Sequence, residues 1–182
     1  MLSSSSFTNS AGKQVVFGEV LNNTGDRQES VQVTATFYNA AHEVLRTASA
    51  TTYVNVMPSR TRSPFKISIN KPAGYDHYDV AVVTNQRSVE PLVGNLNISS
   101  SSITSAPGPS FKGTFKNANS FSAHAVNSIV TLFDAWATVI NVRSDATSPT
   151  FMPANSTATY SSTFTSHYTG WNYGYVYLEG TR

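Results

Sequence analysis

The chain contains no cysteine, and only 12% of its 182 residues are charged. Without cysteine there can be no disulfide, thiol nucleophile, thiolate metal site or iron–sulfur cluster. Charged residues make up about a quarter of an ordinary globular protein, so other groups must keep this surface in water. The sequence holds 26 Ser, 21 Thr and 15 Asn, and we expect hydroxyls and amides to supply most of the surface polarity.

Basic patches and long apolar runs are also missing. The 12 basic and 10 acidic residues give a formal charge of +2 and form no Lys/Arg cluster, so the chain offers no electrostatic footprint for nucleic acid or an anionic membrane. No run approaches the roughly 18 to 20 apolar residues that cross a bilayer, and we predict no membrane insertion. Residues 1–7 lack the basic and apolar regions of a signal peptide, which predicts a flexible leader or the cut end of a longer protein.

An internal repeat becomes visible when the chain is compared with itself at an offset of 95 residues. Identical residues then coincide at Gly18/Gly113, Asn22/Asn117, Val31/Val126, Thr36/Thr131, Val44/Val139, Met57-Pro58/Met152-Pro153 and Tyr78/Tyr173. This register predicts two homologous domains, over 8–84 and 103–182. The Ser-rich segment 85–102 between them predicts a flexible linker, although its apolar Pro91-Leu92-Val93 could instead extend the last strand of the first domain.

Within each repeat the hydrophobic period is two residues. Val31, Val33, Ala35 and Phe37 alternate with polar residues, as half-buried strands do. No stretch shows the 3.6-residue period of a helix. We therefore predict an all-β protein of two tandem antiparallel β-sandwiches with about seven strands each; a single larger barrel is the alternative.

Several short motifs resemble the FxLYD-type domain, an immunoglobulin-like β-sandwich of secreted, lipid-anchored and membrane-anchored prokaryotic proteins. In the first repeat these motifs are Phe17-Gly18-Glu19-Val20-Leu21-Asn22-Asn23, Val33-Thr34-Ala35-Thr36-Phe37-Tyr38-Asn39-Ala40, Val44-Leu45, Met57-Pro58 and Pro64-Phe65. In the second they are Gly113-Thr114-Phe115-Lys116-Asn117, Ile129-Val130-Thr131-Leu132-Phe133-Asp134-Ala135, Val139-Ile140 and Met152-Pro153. The hairpins depart from the family, which usually has Asp and Gly where this chain has Asn39-Ala40-Ala41-His42 and Asp134-Ala135-Trp136-Ala137.

The resemblance implies immunoglobulin-like domains, an extracellular or cell-surface location and a non-catalytic role. It supplies no catalytic or cofactor-binding residues. The sequence itself has no His pair at zinc-binding spacing and no nucleophile elbow or phosphate-binding loop. Asp76 and Asp79 could contact Ca²⁺, but a strand would direct them to opposite faces, so a turn is the better interpretation. We expect no enzyme activity, no cofactor and no metal site.

Two tryptophans are the candidate contact residues for a partner or a glycan. Trp136 falls at a predicted hairpin tip, where it either meets a partner or folds back on its own sheet. Trp171 opens a Tyr-rich strand. These aromatic residues could form a flat platform for a sugar ring or a partner protein. The offset aligns Tyr173, Tyr175 and Tyr177 with the apolar Tyr78, Val80 and Val82, which favours packing of the tyrosines in the core and leaves Trp171 as the residue expected to be exposed.

Three N-x-[ST] sequons make Asn22, Asn97 and Asn155 candidate glycosylation sites. A chain this rich in Asn, Ser and Thr contains about as many by chance, so the sequons are compatible with glycosylation without indicating it.

The function that these features favour is a structural or adhesive module of a prokaryotic cell surface, including a subunit of an extracellular filament or layer. Self-association or binding to other surface proteins is expected, and the segment from Leu2 to Phe7 could donate a strand to a neighbour's sheet edge. The alternative is a carbohydrate-binding module that uses Trp136, Trp171 and the Tyr-rich strand.

Overall fold

The computed structural model describes residues 1–89 and 93–182, apart from the side chains of residues 84 and 85. All of the regular structure in this part of the chain is antiparallel β, with no helix. It follows that no described segment forms a helix capable of spanning a membrane. The all-β prediction is confirmed.

The chain divides into two compact units. Unit 1 comprises Met1–Val89 together with the short segment Trp136–Ile140, and unit 2 comprises Glu90–Ala135 and Asn141–Arg182. The strands of Met1–Val89 are β1 (Ser3–Thr8), β2 (Lys13–Leu21), β3 (Gln28–Tyr38), β4 (Val44–Thr51), β5 (Val56–Met57), β6 (Arg62–Asn70) and β7 (His77–Arg87). The later strands are β8 (Leu96–Thr104), β9 (Ser110–Asn117), β10 (His124–Phe133), β11 (Val139–Ala146), β12 (Thr157–Thr163) and β13 (Tyr173–Thr181).

Unit 1 contains two sheets. One has the order β1-β2-β6, and in the other β3 pairs with β4, β5 and β7. Alternate residues of each strand face a shared apolar core, which includes Val16, Val33, Phe37, Phe65 and Ile67. Gly18 lies directly opposite Phe65, and the Phe65 ring occupies the space that a Cβ on Gly18 would need.

Unit 2 repeats this plan with sheets of order β12-β9-β8 and β11-β10-β13. Its core includes Phe111, Phe115, Leu132, Met152 and Tyr160. The Tyr160 ring lies over Gly113 as the Phe65 ring lies over Gly18.

The predicted leader and linker are strands in the structure, so the prediction of flexible segments there needs correction. Ser3–Thr8 forms β1 on the edge of its sheet, and Leu96–Thr104 forms the corresponding edge strand β8. Strand β7 also continues past the predicted boundary to Arg87. Residues 90–92, which include Pro91 and Leu92 of the proposed strand extension, lie outside the described residues.

Backbone geometry repeats along with the sequence. The positive-φ residues Ser30, His42 and Arg60 recur 95 positions later as Ala125, Ala137 and Asn155. Gly74, however, corresponds to Gly170, which is an offset of 96. The second repeat therefore carries one additional residue before its last strand.

The side-chain amide of one asparagine closes each repeat at the same place. Asn22 Nδ2 donates to the carbonyls of Asp26, Met57 and Pro58 at 2.9 to 3.1 Å, and Asn117 Nδ2 donates to those of Phe121, Met152 and Pro153 at 2.9 to 3.1 Å. Buried carbonyls need such partners because water cannot reach them. Each amide thus joins the end of one strand to two separate loops.

Replacing Asn22 by Ala should destabilise the protein by about 1–3 kcal/mol, because three carbonyls lose a shared donor and the buried ones cannot be resolvated. Asn117→Ala should act in the same way. Chemical unfolding followed by tryptophan and tyrosine fluorescence measures the change. Asn23→Ala is the matched control, since Asn23 is exposed; equal midpoints for Asn22→Ala and Asn23→Ala would contradict the bracing role.

Candidate functional site

The two candidate tryptophans lie in different environments. Trp136 is in the hairpin before β11 and is 86% exposed, so it does not fold back onto its sheet. Trp171 is half-buried, with its ring centroid 6.3 Å from that of the core residue Phe111 in an edge-on arrangement. The expectation that Trp171 is the exposed aromatic residue of this segment is wrong, since it is less exposed than Tyr173 and Tyr175.

The tyrosines of β13 face the opposite way from the prediction. In β7, Tyr78 and Val80 pair with the buried Phe37 and Ala35. In β13 the residues opposite the buried Leu132, Val130 and Ser128 are Gly174, Val176 and Leu178. The tyrosines lie on the outer face, where Tyr173 is 43% and Tyr175 is 61% exposed.

The physical reason is the additional residue before β13. A shift of one residue moves every side chain of a strand to the other face, so the offset of 95 that aligned Tyr78 with Tyr173 does not hold there. Tyr177 is only half-exposed, and burial raises its pKa to about 12, with Glu179 and Tyr175 adding to the shift.

This register predicts opposite responses to substitution at neighbouring positions. Gly174→Ala should destabilise unit 2 by about 1–3 kcal/mol, because the new methyl group collides with Phe111 and Leu132. Tyr175→Ser should change stability by less than about 0.5 kcal/mol, as exposed substitutions usually do. Urea unfolding of both variants gives the comparison. A larger loss for Tyr175→Ser than for Gly174→Ala would show that the tyrosines belong to the core.

The three asparagines of the sequons differ from one another in exposure. Asn97 and Asn155 are exposed, and both remain candidates for glycosylation. Asn22 is 5% exposed, and its amide nitrogen, the atom to which a glycan attaches, makes the three hydrogen bonds described above. Glycosylation of Asn22 is incompatible with that arrangement.

The acidic cluster before β7 forms local contacts. Asp76 Oδ2 lies 2.9 Å from His77 Nδ1, and the His77 ring stacks on Tyr38 and meets His42 edge-on. Within the described residues, no group of three or more acidic or histidine side chains could hold a metal ion.

The most extensive candidate surface is the outer face of β8-β9-β12, which we call the hydroxyl face. Its side chains lie in four cross-strand rows. The rows are Thr104–Ser110–Thr163, Ser102–Lys112–Ser161, Ser100–Thr114–Thr159 and Asn97–Lys116–Thr157. Nine of these twelve residues carry hydroxyls, none is apolar and none is acidic. All except Ser110 are at least partly exposed.

Hydrogen bonds order part of this surface. The hydroxyls of Ser100 and Thr114 are 2.8 Å apart, as are those of Ser110 and Thr163. An open depression of about 580 Å³ lies over the middle rows. Lys112, exposed at its centre, makes no ion pair with any residue that the structure describes.

Tyr160 lies on the other side of the same sheet, in the core. Burial raises the pKa of its hydroxyl, although Ser101 lies close enough to lower it in part. Even so, the hydroxyl makes no hydrogen bond of normal geometry within the described chain. The sheet therefore has an apolar side with one unsatisfied polar atom, and a polar side built almost wholly from hydroxyls.

The hydroxyl face is not predicted above, although its signal is present in the sequence. Thr157, Thr159, Ser161 and Thr163 alternate with the inward residues of β12. The Ser-rich edge strands are themselves repeated, as Leu2-Ser3-Ser4-Ser5-Ser6-Phe7-Thr8 and Ile98-Ser99-Ser100-Ser101-Ser102-Ile103-Thr104. Serine-rich segments are typical of flexible linkers, and this similarity is why flexibility is predicted for both runs.

Comparison with known proteins adds no relative: no family model matches the chain, and no curated protein sequence does either.

Proposed function

We propose that the protein is a non-catalytic structural or adhesive module of a prokaryotic cell surface, built from two immunoglobulin-like β-sandwiches of the FxLYD type. The sandwich assignment is supported in each unit by two antiparallel sheets with large side chains buried between alternating polar positions. The sandwich assignment also supports the proposed function, because surface proteins of this kind act by presenting sheet faces and loops to neighbours.

The observation that carries the proposal is the hydroxyl face. An ordinary exposed sheet is kept apart from other proteins by charged side chains. Here nine hydroxyls and two lysines cover three strands, which gives the surface many hydrogen-bonding groups and little electrostatic repulsion. Such a surface suits a protein whose role is to contact other surface components.

The location can be tested in the organism that encodes the protein. Intact cells are treated with a protease that does not enter them, and the protein is followed by immunoblot beside a cytoplasmic control protein. We expect the protein to be degraded or released while the control survives. Full protection, with recovery only in the cytoplasmic fraction, would contradict the proposed surface role.

A carbohydrate-binding module is the second candidate, and the exposure of Trp136 favours it. Its indole is 86% exposed, and aromatic rings offer flat apolar area to sugar rings. Trp171, packed on Phe111, has no place in this alternative.

If the second candidate is correct, binding on a glycan array should fall at least about tenfold in Trp136→Ala, because one aromatic anchor contributes more than about 1.4 kcal/mol. Phe151→Ala is the control, since Phe151 is another exposed aromatic residue at 47%. No binding by the unmodified protein would rule out this alternative.

A further inference from the structure

The outer sheet faces of the two repeats differ sharply in exposure. On the outer face of β1-β2-β6, Val15, Phe17 and Glu19 are only 2 to 5% exposed. Burial raises the pKa of Glu19 even though Arg62 lies 3.3 Å away. On the outer face of β10, Ile129, Thr131 and Phe133 are 1 to 4% exposed.

The other two outer faces are accessible. One is the hydroxyl face. The other is the outer face of β4-β3-β7, which we call the threonine face. Its residues are Gln32, Thr34, Thr36, Tyr38, Thr47, Ser49, Asp79 and Ala81. Each is exposed or half-exposed. Each repeat thus has one outer face that is accessible on all three of its strands. The other outer face is buried at β2 in the first repeat and at β10 in the second, although Tyr173 and Tyr175 on the neighbouring β13 are exposed. The two accessible faces come from sheets that are not equivalent in the repeat.

A contact inside unit 1 shows how a serine edge strand can bind another segment. Ser5 Oγ donates to the Val139 carbonyl at 2.5 Å, and the Val139 N–H donates to Ser3 Oγ at 3.3 Å. Val139 is fully buried. Two serines spaced to lie on the same side of β1 therefore bind both backbone groups of one residue.

The repeat contains a second copy of each half of this contact. In the first repeat Ser3 pairs with Glu19, and Ser5 pairs with Phe17. In the second repeat the counterparts of Glu19 and Phe17 are Thr114 and Lys112, which pair with Ser100 and Ser102. Ser100 and Ser102 are therefore equivalent to Ser3 and Ser5. Both Ser100 and Ser102 are exposed.

The counterpart of Val139 in the first repeat is Val44, at the start of β4. Val44 is 60% exposed, whereas Val139 is 0% exposed. Val44 pairs with Tyr38 at one end of the threonine face. Within one sheet the Ser100 and Ser102 hydroxyls bond to Thr114 and to the Lys112 carbonyl. The two halves of the contact therefore belong to the two accessible faces, one half to each.

The two faces also carry opposite charges at their centres. The charged residues of β8, β9 and β12 are Lys112 and Lys116. On the threonine face Asp79 lies opposite Thr36 and makes no ion pair with any described residue. Arg46 lies opposite Phe37 and so points to the other side of that sheet.

We infer that the hydroxyl face of one molecule binds the threonine face of a second copy, an inference that rests on the proposed surface role. In this contact Ser100 and Ser102 bind the Val44 backbone, and Lys112 faces Asp79. Because the two faces differ, the contact is heterologous. A pair joined by one such contact keeps one free face of each kind, to which further copies can add head to tail.

The proposed contact is small. Three strands and four rows measure about 10 Å by 20 Å, well below the about 800 Å² that each partner buries in a stable complex. A single contact is therefore weak, and assembly depends on high protein concentration.

Charge reversal provides the test, using protein made without glycosylation because a glycan on Asn97 would cover the hydroxyl face. Sedimentation velocity over a concentration series should show growing oligomers of the unmodified chain. Lys112→Asp and Asp79→Lys should each raise the concentration required at least about tenfold, since like charges then face each other. Lys13→Asp, a reversal at an exposed lysine on neither face, should assemble normally.

An equimolar mixture of Lys112→Asp and Asp79→Lys should recover assembly, because every contact between the two variants pairs opposite charges. Circular dichroism verifies that each variant is folded. The inference is overturned if the unmodified chain stays monomeric at all concentrations, if the single variants assemble normally, or if the mixture remains dissociated. A monomeric result leaves the protease experiment unaffected, so the two proposals fail separately.

The absence of cysteine allows a second measurement on the same contact. A Ser102→Cys, Thr36→Cys double variant should form a ladder of disulfide-linked oligomers on oxidation at high concentration, whereas each single-cysteine variant should remain mostly monomeric. Efficient dimerisation of a single-cysteine variant would indicate a two-fold contact between identical faces and would overturn head-to-tail association, as would the absence of a ladder.

Discussion

One buried amide in each repeat is the interaction on which the rest of the structure depends. Asn22 and Asn117 each tie the end of a central strand to a turn and to the Met-Pro segment that precedes the next strand. An all-β chain without disulfides must fix its loops by non-covalent contacts, and a single amide with three acceptors does so with little apolar area. In unit 1 this amide connects the end of β2 with Met57 of β5, a strand of the other sheet.

The sequence was sufficient to predict the all-β class, most strand positions and the 95-residue repeat, because apolar and polar residues alternate where a strand has one buried and one exposed face. Its failure at the two serine runs has a physical cause. Serine runs were assigned to flexible segments, whereas pairing of Ser3–Thr8 with β2 and of Leu96–Thr104 with β9 makes them strands. Long-range pairing of this kind is not encoded in local propensity.

The candidate site was less predictable than the fold. Exposure of Trp136 follows from its place in a hairpin, but the outward orientation of Tyr173 and Tyr175 depends on one additional residue upstream. The hydroxyl face becomes apparent only after β8 is placed beside β9, because its rows combine residues from three separate segments. The sequence around Asn22 similarly predicts a candidate glycosylation site, and only the structure shows that the Asn22 side chain is buried.

The one-residue difference between the repeats also bears on how such a protein can change. Two copies of a fold share a core, and substitutions that alter the surface normally accumulate position by position. One additional residue before β13 instead exchanges the inward and outward side chains of the entire strand. Position 174 then faces Phe111, where a large side chain would collide with the ring, and glycine at this position avoids the collision. A single insertion, accommodated by one glycine, can therefore give two otherwise equivalent domains different outer surfaces.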